Sequence, residues 1–508
     1  MSDKYNLGTP TMTVQASSPA QPDVEVAVIG SGFSGLCTAI KLKEAGIASF
    51  VILEKEAVFG GTWRVNHYPG AACDVPVHLY SFSFAQSAEW SRRFPHQREL
   101  LAYAEGIVRD YGLLPYLRLD HGLESADYDE ARGWWRLRTR HGELTARSVV
   151  SATGPLSRAR APALPGLERF QGKTFHSAGW DHGYDLRGKR VAVIGTGASA
   201  IQFVPEIAPL VAQLDLYQRS APWVIPRPDR AIGAAERWLL RHFAPLRQLY
   251  RGLTYVQHEA RYLAFSWPSI MRVAEAESLR HLRRQLPHDA QLRRRLTPGY
   301  RAGCKRLLLS NDYYPALGRS NVTLVTDGIA EVRAHSVLAA DGSERPVDAI
   351  IFGTGFDVEH ALGQVRVRGR GGVLLGDLAQ GGLEAYKGST VPGFPNFYMI
   401  IGPNTGLGHS SMIYMIEANV RYVVDALLRR RAAGLRALEV RPAACRAYNA
   451  QLQRRLAGTV WATGCRSWYL SSSGKNCALW PGFTFQYRRI TRRFDPAAYV
   501  EEPALSAP

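Results

Sequence analysis

Cysteine is scarce. The six residues at positions 37, 73, 304, 445, 465 and 477 form no CxxC pair and no metal-ligand spacing. A zinc ribbon and the dithiol of a disulfide reductase are thereby excluded. The cysteines are expected to be reduced, mostly buried thiols rather than disulfides. HExxH and GxSxG are also missing, so zinc-protease and serine-hydrolase chemistry have no foothold. No apolar run is long enough to span a bilayer, and the start of the chain lacks a charged-then-apolar signal pattern. A cytoplasmic protein without stable membrane insertion is expected. Acids are outnumbered, 44 to 62 Lys and Arg, for a formal net charge of +18. The arginines are nevertheless scattered, and no compact basic tract carries interleaved aromatics, so nucleic acid is not an expected partner. The densest stretch, Arg272 to Arg301, has helical spacing and reads as a solvated helix face. A basic surface favours anionic partners, an anionic membrane face among them.

What is present is an ordinary globular composition, 46% hydrophobic and 21% charged, in 508 residues that allow two or three domains. Residues 1–21, rich in Ser, Pro, Thr and Gln, read as a disordered tail. Val24 to Ile29 is a β-branched run that reads as a buried parallel strand. Gly30, Gly32, Ser34 and Gly35 follow, then helical composition from Leu36 to Ala45. Glycines let such a turn approach a pyrophosphate, and the helix N-terminus offers it unpaired N–H groups. A strand from Ser49 to Leu53 ends at Glu54, 19 residues past Gly35, where a carboxylate can accept hydrogen bonds from a ribose diol.

The pattern recurs. Lys189 to Ile194 reads as a strand, followed by Gly195, Thr196, Gly197, Ala198, Ser199 and Ala200. Alanine in the third glycine position is an accepted variant. The next strand, Gln213 to Gln218, ends in Arg219 and Ser220 rather than an acid. An acid would repel a 2′-phosphate that arginine can grip bidentately, so this site is expected to prefer NADPH over NADH. The runs Val149 to Gly154 and Ala349 to Gly355 both carry Thr-Gly at their ends. Residues 228–300 lack strand patterning and read as helical.

Three further segments carry a resemblance. Gly60-Gly61-Thr62-Trp63 is followed, four residues on, by Tyr68-Pro-Gly70-Ala-Ala-Cys-Asp74; between the two turns stands Phe170, Gly172, His176, Trp180, Asp181. With the turns, these make the chain similar to the class B flavoprotein monooxygenases of the type I Baeyer–Villiger family, over about Val24 to Phe494. The resemblance implies an α/β fold with two Rossmann-like dinucleotide-binding domains and a helical insertion. It divides the chain into an FAD domain over residues 22–160 completed by 356–508, and an NADPH domain over 161–355 with the insertion at about 228–300.

It further implies that FAD lies on the first turn, contacted by Gly61, Thr62, Trp63, Asp74, Tyr80, Leu123 and Met412. NADPH lies on the second, with Lys305 near its 2′-phosphate. Arg306 is the implied catalytic cation, stabilising a flavin peroxide together with NADP⁺, and Asp74 orients it. One oxygen atom of dioxygen would then be inserted beside the carbonyl of an apolar ketone to give an ester or lactone, the other leaving as water. Because a lone histidine is more often structural, His176 is expected to organise NADPH binding rather than transfer a proton. Trp468, beside Tyr469, reads as easily as a core residue. The competing readings are an N- or S-oxygenase, an NADPH-dependent flavin reductase or oxidase, and a non-catalytic flavin-binding protein. Trp180, Asp181, Asp74 and Arg306 together favour Baeyer–Villiger oxidation over them. The substrate and the oligomeric state are left open by the sequence.

Overall fold

The computed structural model describes residues 21–357, 365–465 and 467–504. The expected N-terminal tail thus lies, but for residue 21, outside the described residues. Two parallel-cored sheets organise the chain. The first contains β1 (Val24–Ile29), β2 (Phe50–Leu53), β3 (Leu117–Arg118), β4 (Leu123–Asp129), β5 (Trp134–Thr139) and β6 (Gly142–Ser151). The second contains β7 (Lys173–His176), β8 (Arg190–Ile194), β9 (Gln213–Tyr217), β10 (Val322–Val325) and β11 (Ala349–Phe352). Two later strands, β12 (Arg366–Arg368) and β13 (Phe397–Met399), return to the first sheet.

The first sheet runs β12-β4-β5-β6-β1-β2-β3, with β13 also paired to β6. Its centre is parallel, Val28 facing Ile52 on one side and Val150 on the other. The second sheet, β10-β9-β8-β11-β7, is parallel throughout. Both β1 and β8 are buried almost end to end, as strands covered on two faces must be.

The helices that matter below are α1 (Phe33–Glu44), α2 (Ala200–Ile207), α3 (Ala234–His242), α4 (Ala244–Ala260), α5 (Tyr262–Ser266), α6 (Met271–Gln285), α7 (Ala290–Arg295), α8 (Met412–Ala432) and α9 (Thr484–Ile490). Helix α1 begins three residues before the composition suggests, because the extended Gly32 acts as its N-cap. Residues 228–300 are helical as expected, in α3 to α7. Arg272, Arg280, Arg283 and Arg284 do form an exposed face of α6.

Two expectations need correction. Cys304 and Cys465 are joined as a disulfide, while Cys37, Cys73 and Cys445 are buried thiols. The bonded pair is 161 residues apart, so no local spacing could announce it. Trp468 is not a core residue: it is 47% exposed, and the neighbouring Tyr469 is the buried one.

Candidate active site

The first glycine turn is enclosed. Gly30 sits at φ 104°, and a Cβ there would lie 2.8 Å from the Ala152 carbonyl oxygen, in the loop after β6. A Cβ on Gly35 would collide with the Gly30 carbonyl, so α1 is held hard against its own turn. The Gly60–Gly61 segment closes the other side, an added Gly61 Cβ lying 2.7 Å from the Gly32 Cα. At the end of β2, Glu54 is 6% exposed. Its Oε2 accepts from Ser31 N (2.9 Å) and Ser31 Oγ (2.5 Å), and its Oε1 from Glu56 N (3.1 Å). A buried acid fixed to the turn in this way fits the ribose end of a dinucleotide whose pyrophosphate lies on the α1 N-terminus. Trp63 and Tyr80 stand edge to face 5.7 Å apart, with Trp63 Nε1 donating to the Tyr80 hydroxyl (3.3 Å). Thr62 is exposed, Leu123 opens β4 half-buried, and Met412 opens α8, whose Ser411 cap accepts from Ile413 N at 3.2 Å.

The second turn is open. Gly195 repeats the positive φ of Gly30, at 109°, and packs against the Gly353 carbonyl in the loop after β11. Gly197 and Ala198 are exposed, and a Cβ on Gly197 would meet only the Gly353 oxygen, 3.9 Å away. Ala200 is buried and takes the third glycine position without a clash, its Cβ being 3.2 Å from where a side chain on Gly353 would begin. A side chain at 353 would have to push the Ala200 methyl back by a few tenths of an ångström. Arg219 and Ser220 are exposed beyond β9. Lys305 Nζ donates to Ser220 Oγ (3.0 Å), and Thr196 Oγ1 donates to the Ser220 carbonyl (3.2 Å). Desolvation and the Arg219 charge lower the Lys305 pKa below the usual lysine value. Two cations facing one open turn fit a dinucleotide bearing an additional phosphate.

Between the turns lies the pair separated by 232 residues in sequence. Arg306 Nε donates to Asp74 Oδ2 at 2.7 Å, and a terminal guanidinium nitrogen approaches the same oxygen at 2.5 Å. The Asp74 charge raises the Arg306 pKa above the ordinary guanidinium value, with burial opposing, so the group is a permanent cation. Asp74 reaches this point because its segment docks on α2. Tyr68 OH donates to Gln202 Oε1 (2.9 Å), Gln202 Nε2 donates to the Ala72 carbonyl (3.0 Å), and Gly70 lies against the Gln202 backbone. One loop therefore touches the first turn through Gly61 and the helix of the second through Gln202. Arg306 in turn follows Lys305 and Cys304, whose disulfide to Cys465 ties the loop to the segment carrying Tyr469. That tyrosine is buried beside the pair and its hydroxyl is pushed up to about 12 by desolvation.

The motif between the turns is mostly scaffold. Trp180 is buried against Phe175 (5.1 Å) and Phe203 of α2 (5.2 Å). Asp181 pairs with Lys173 (2.6 Å) and accepts from Gly183 N (2.9 Å). Gly172 leaves space for the ring of Phe170, 2.5 Å from where a Cβ would stand. His176 Nδ1 accepts from Ala178 N (3.0 Å), and its ring meets Phe356 edge-on at 6.0 Å. Burial lowers its pKa, which keeps it neutral. It lies where β7 and the chain leaving β11 meet. His67 and His409, which have no sequence-legible partner, face His182 (2.9 Å) and Glu259 (3.5 Å). Gln202, Ser31 and the disulfide were not foreseeable from motif spacing; for Gln202 the only signal was its place two residues into the helix that Ala200 opens.

Comparison with known proteins follows the same outline. The profile of the flavin-binding monooxygenase-like family matches residues 23–365. A Baeyer–Villiger monooxygenase of Pseudomonas aeruginosa is 50% identical over 492 residues, covering 96% of this chain and 93% of its own. One from Streptomyces coelicolor is 51% identical over 485 residues, covering 95% and 93%. Among solved structures, an oxidised steroid monooxygenase bound to NADP superposes with a TM-score of 0.84 at 30% identity, covering 95% of this chain and all of the other. Cyclohexanone monooxygenase from Rhodococcus sp. Phi1 bound to NADP⁺ gives 0.85 at 27% identity, with the same coverage.

Proposed function

This chain belongs to the flavin-binding monooxygenase-like family, among its Baeyer–Villiger monooxygenases, and on that premise we propose how its residues divide the work of inserting oxygen beside a ketone carbonyl. The enzyme uses FAD and NADPH. When bound, FAD reduced by hydride from NADPH would activate dioxygen, which supplies the one oxygen atom transferred and leaves the other as water. The first turn, Glu54 and the Gly61–Trp63 segment hold FAD. Thr196, Arg219, Ser220 and Lys305 hold NADPH, Arg219 and Lys305 at its 2′-phosphate. The FAD domain spans 22–160 and 356–508, around an NADPH domain at 161–355, in step with the return of β12 and β13 to the first sheet.

Arg306 is the catalytic residue. Oxygen insertion builds negative charge on oxygen as the ketone carbonyl is attacked, and a fixed cation lowers that barrier without reorganising. Asp74 is a positioning residue that holds the guanidinium by its Nε edge and leaves the rest of the fork to face the reacting atoms. The observation that carries this reading is the Arg306–Asp74 pair at 2.5–2.7 Å, on loops that each reach a different glycine turn. The substrate class is an apolar ketone, oxidised to an ester or lactone at the expense of NADPH and O2, in the cytoplasm. The test is ester formation from cyclic and aryl ketones under NADPH and air, quantified against NADPH consumed. Stoichiometric ester supports the reading, and oxidation of amines or sulfides with no ester from any ketone would move it to the N- or S-oxygenase.

A further inference from the structure

Helix α4 is turned inside out. Its inward side carries Arg251, Thr254, His258 and Glu259, all buried, while Leu246, Leu249, Leu253 and Val256 point outward, the last two more than 60% exposed (62% and 63%). The inward groups are anchored. Arg251 donates to the carbonyls of His78 (2.5 Å) and Ser81 (3.0 Å), His258 Nδ1 lies 3.1 Å from the His409 carbonyl, and Glu259 accepts from Thr484 N and Oγ1 (2.7 and 2.8 Å). The helix therefore cannot roll to hide its leucines. No charged residue is exposed between Ala244 and Ala260; the outward positions are Leu, Val, Ala, Gly, Pro and Gln. The surface continues into Trp238 and Phe243 before the helix and Trp267 and Val273 after it, each at least half exposed (54%, 50%, 56% and 70%). Single exposed apolar side chains are ordinary, but a set this large on consecutive helices marks an interaction face.

The charge beside the face indicates what covers it. Tyr255 of α4 stacks on Tyr414 of α8 (5.0 Å) and bonds Thr484 of α9 (3.1 Å). Tyr414 and Phe485 border a hollow of about 350 Å³ whose other walls are Arg421, Arg488, Arg489 and Arg492. These four arginines are exposed, and among the described residues none has an acid within 4.0 Å. Of the acids of α8, Glu417 accepts from Ser83 N and Oγ (both 2.6 Å), and Asp425, one turn from Arg421, feels that arginine's charge without approaching it within 4.0 Å among the described residues. A second copy of this +18 chain would bring like charges together beside the apolar face. An anionic surface would satisfy both halves.

We propose that the outward face of α3 to α6 and the arginine hollow between α8 and α9 form one docking surface for an anionic phospholipid membrane. The leucines and tryptophans enter the interfacial layer, and the arginines bind lipid phosphates. No helix of the described residues is long and apolar enough to cross a membrane, so this is attachment to a surface. Helices α5 and α6 also back the Arg306 loop, since Gly303 packs against Phe265 and Met271. A lipid-dissolved ketone would be delivered beside that loop; this consequence rests on the function proposed above, whereas docking itself does not.

The test is sedimentation of the full-length holoenzyme with vesicles of phosphatidylglycerol and phosphatidylcholine, or of phosphatidylcholine alone. The protein is expected to sediment with the anionic vesicles only, less so as salt rises. L249D/L253D and R488E/R489E should each lower the partition at least about tenfold, with flavin content and turnover of a water-soluble ketone unchanged. The milder L253Q and R489Q serve if a double variant does not fold, and should lower the partition in the same direction. Absence of binding to anionic vesicles at low salt, or binding that the variants retain, overturns the proposal. So does a lipid-free dimer, seen by sedimentation velocity, that L249D/L253D converts to monomer.

Discussion

Gly30 and Gly195 open the two turns with nearly the same backbone, φ 104° and 109°, and each rests on a carbonyl of the loop after the neighbouring parallel strand. Past that point the two regions part. Ser31, Phe33, Ser34, Gly35 and Glu54 are buried around the first turn, whereas Gly197, Ala198, Arg219 and Ser220 are exposed around the second. The first site is completed by a buried acid already hydrogen-bonded to its own turn, the second by cations reaching in from the surface. A ligand enclosed by backbone leaves only when structure opens; a ligand held from one side by charge exchanges freely. On the proposed assignment, the same turn serves a retained prosthetic group in one place and a consumed co-substrate in the other, and the difference resides in what packs around it.

The harshest way to test that contrast is a methyl group. G35A should cost more than about 3 kcal/mol and yield protein without flavin, because its Cβ meets the Gly30 carbonyl and the turn must move. G197A should keep its melting temperature and flavin content, with any defect confined to KM for NADPH. Equal losses in both would show that the two sites are equally enclosed. Next in size, R219A should raise KM for NADPH about ten- to a hundredfold and leave KM for NADH unchanged; an equal rise for both would remove Arg219 from the 2′-phosphate.

The smallest effect is in pH. Because Lys305 titrates below an ordinary lysine, its ammonium is present at neutral pH and lost early on the alkaline side, so KM for NADPH should rise there by a few-fold. Removing the Arg219 charge lifts the Lys305 pKa, and R219A should move that rise to higher pH. A KM independent of alkaline pH in the native enzyme would place Lys305 outside the cofactor site. Flavin content should not follow pH over this range.

Both turns were legible because each is local, a strand, a turn, a helix and a second strand within some thirty residues, with Glu54 or Arg219 close behind that strand. The resemblance foresaw that 356–508 rejoins the first domain, but not that Arg366–Arg368 pairs with β4, since a three-residue strand with both ends exposed carries no address. Arg306 and Asp74 were matched by motif, but no spacing rule could bring together residues 232 apart. Cys304 and Cys465 show the same limit, as their bond depends on two loops folding over one site. Trp468 and Tyr469 show another: adjacent residues in an irregular segment have no periodicity to say which one turns inward. Helix α4 defeats the usual rule outright, because its polar side is the one with buried partners.

The most direct measurement is product formation by R306A beside the native enzyme, with flavin content, NADPH consumed and ester produced recorded together. Full flavin content and continued NADPH oxidation are expected, with ester from an aryl or cyclic ketone lowered at least about a hundredfold. Ester formed at the native rate by R306A would contradict the assignment of Arg306 as the cation on which the oxygen insertion depends.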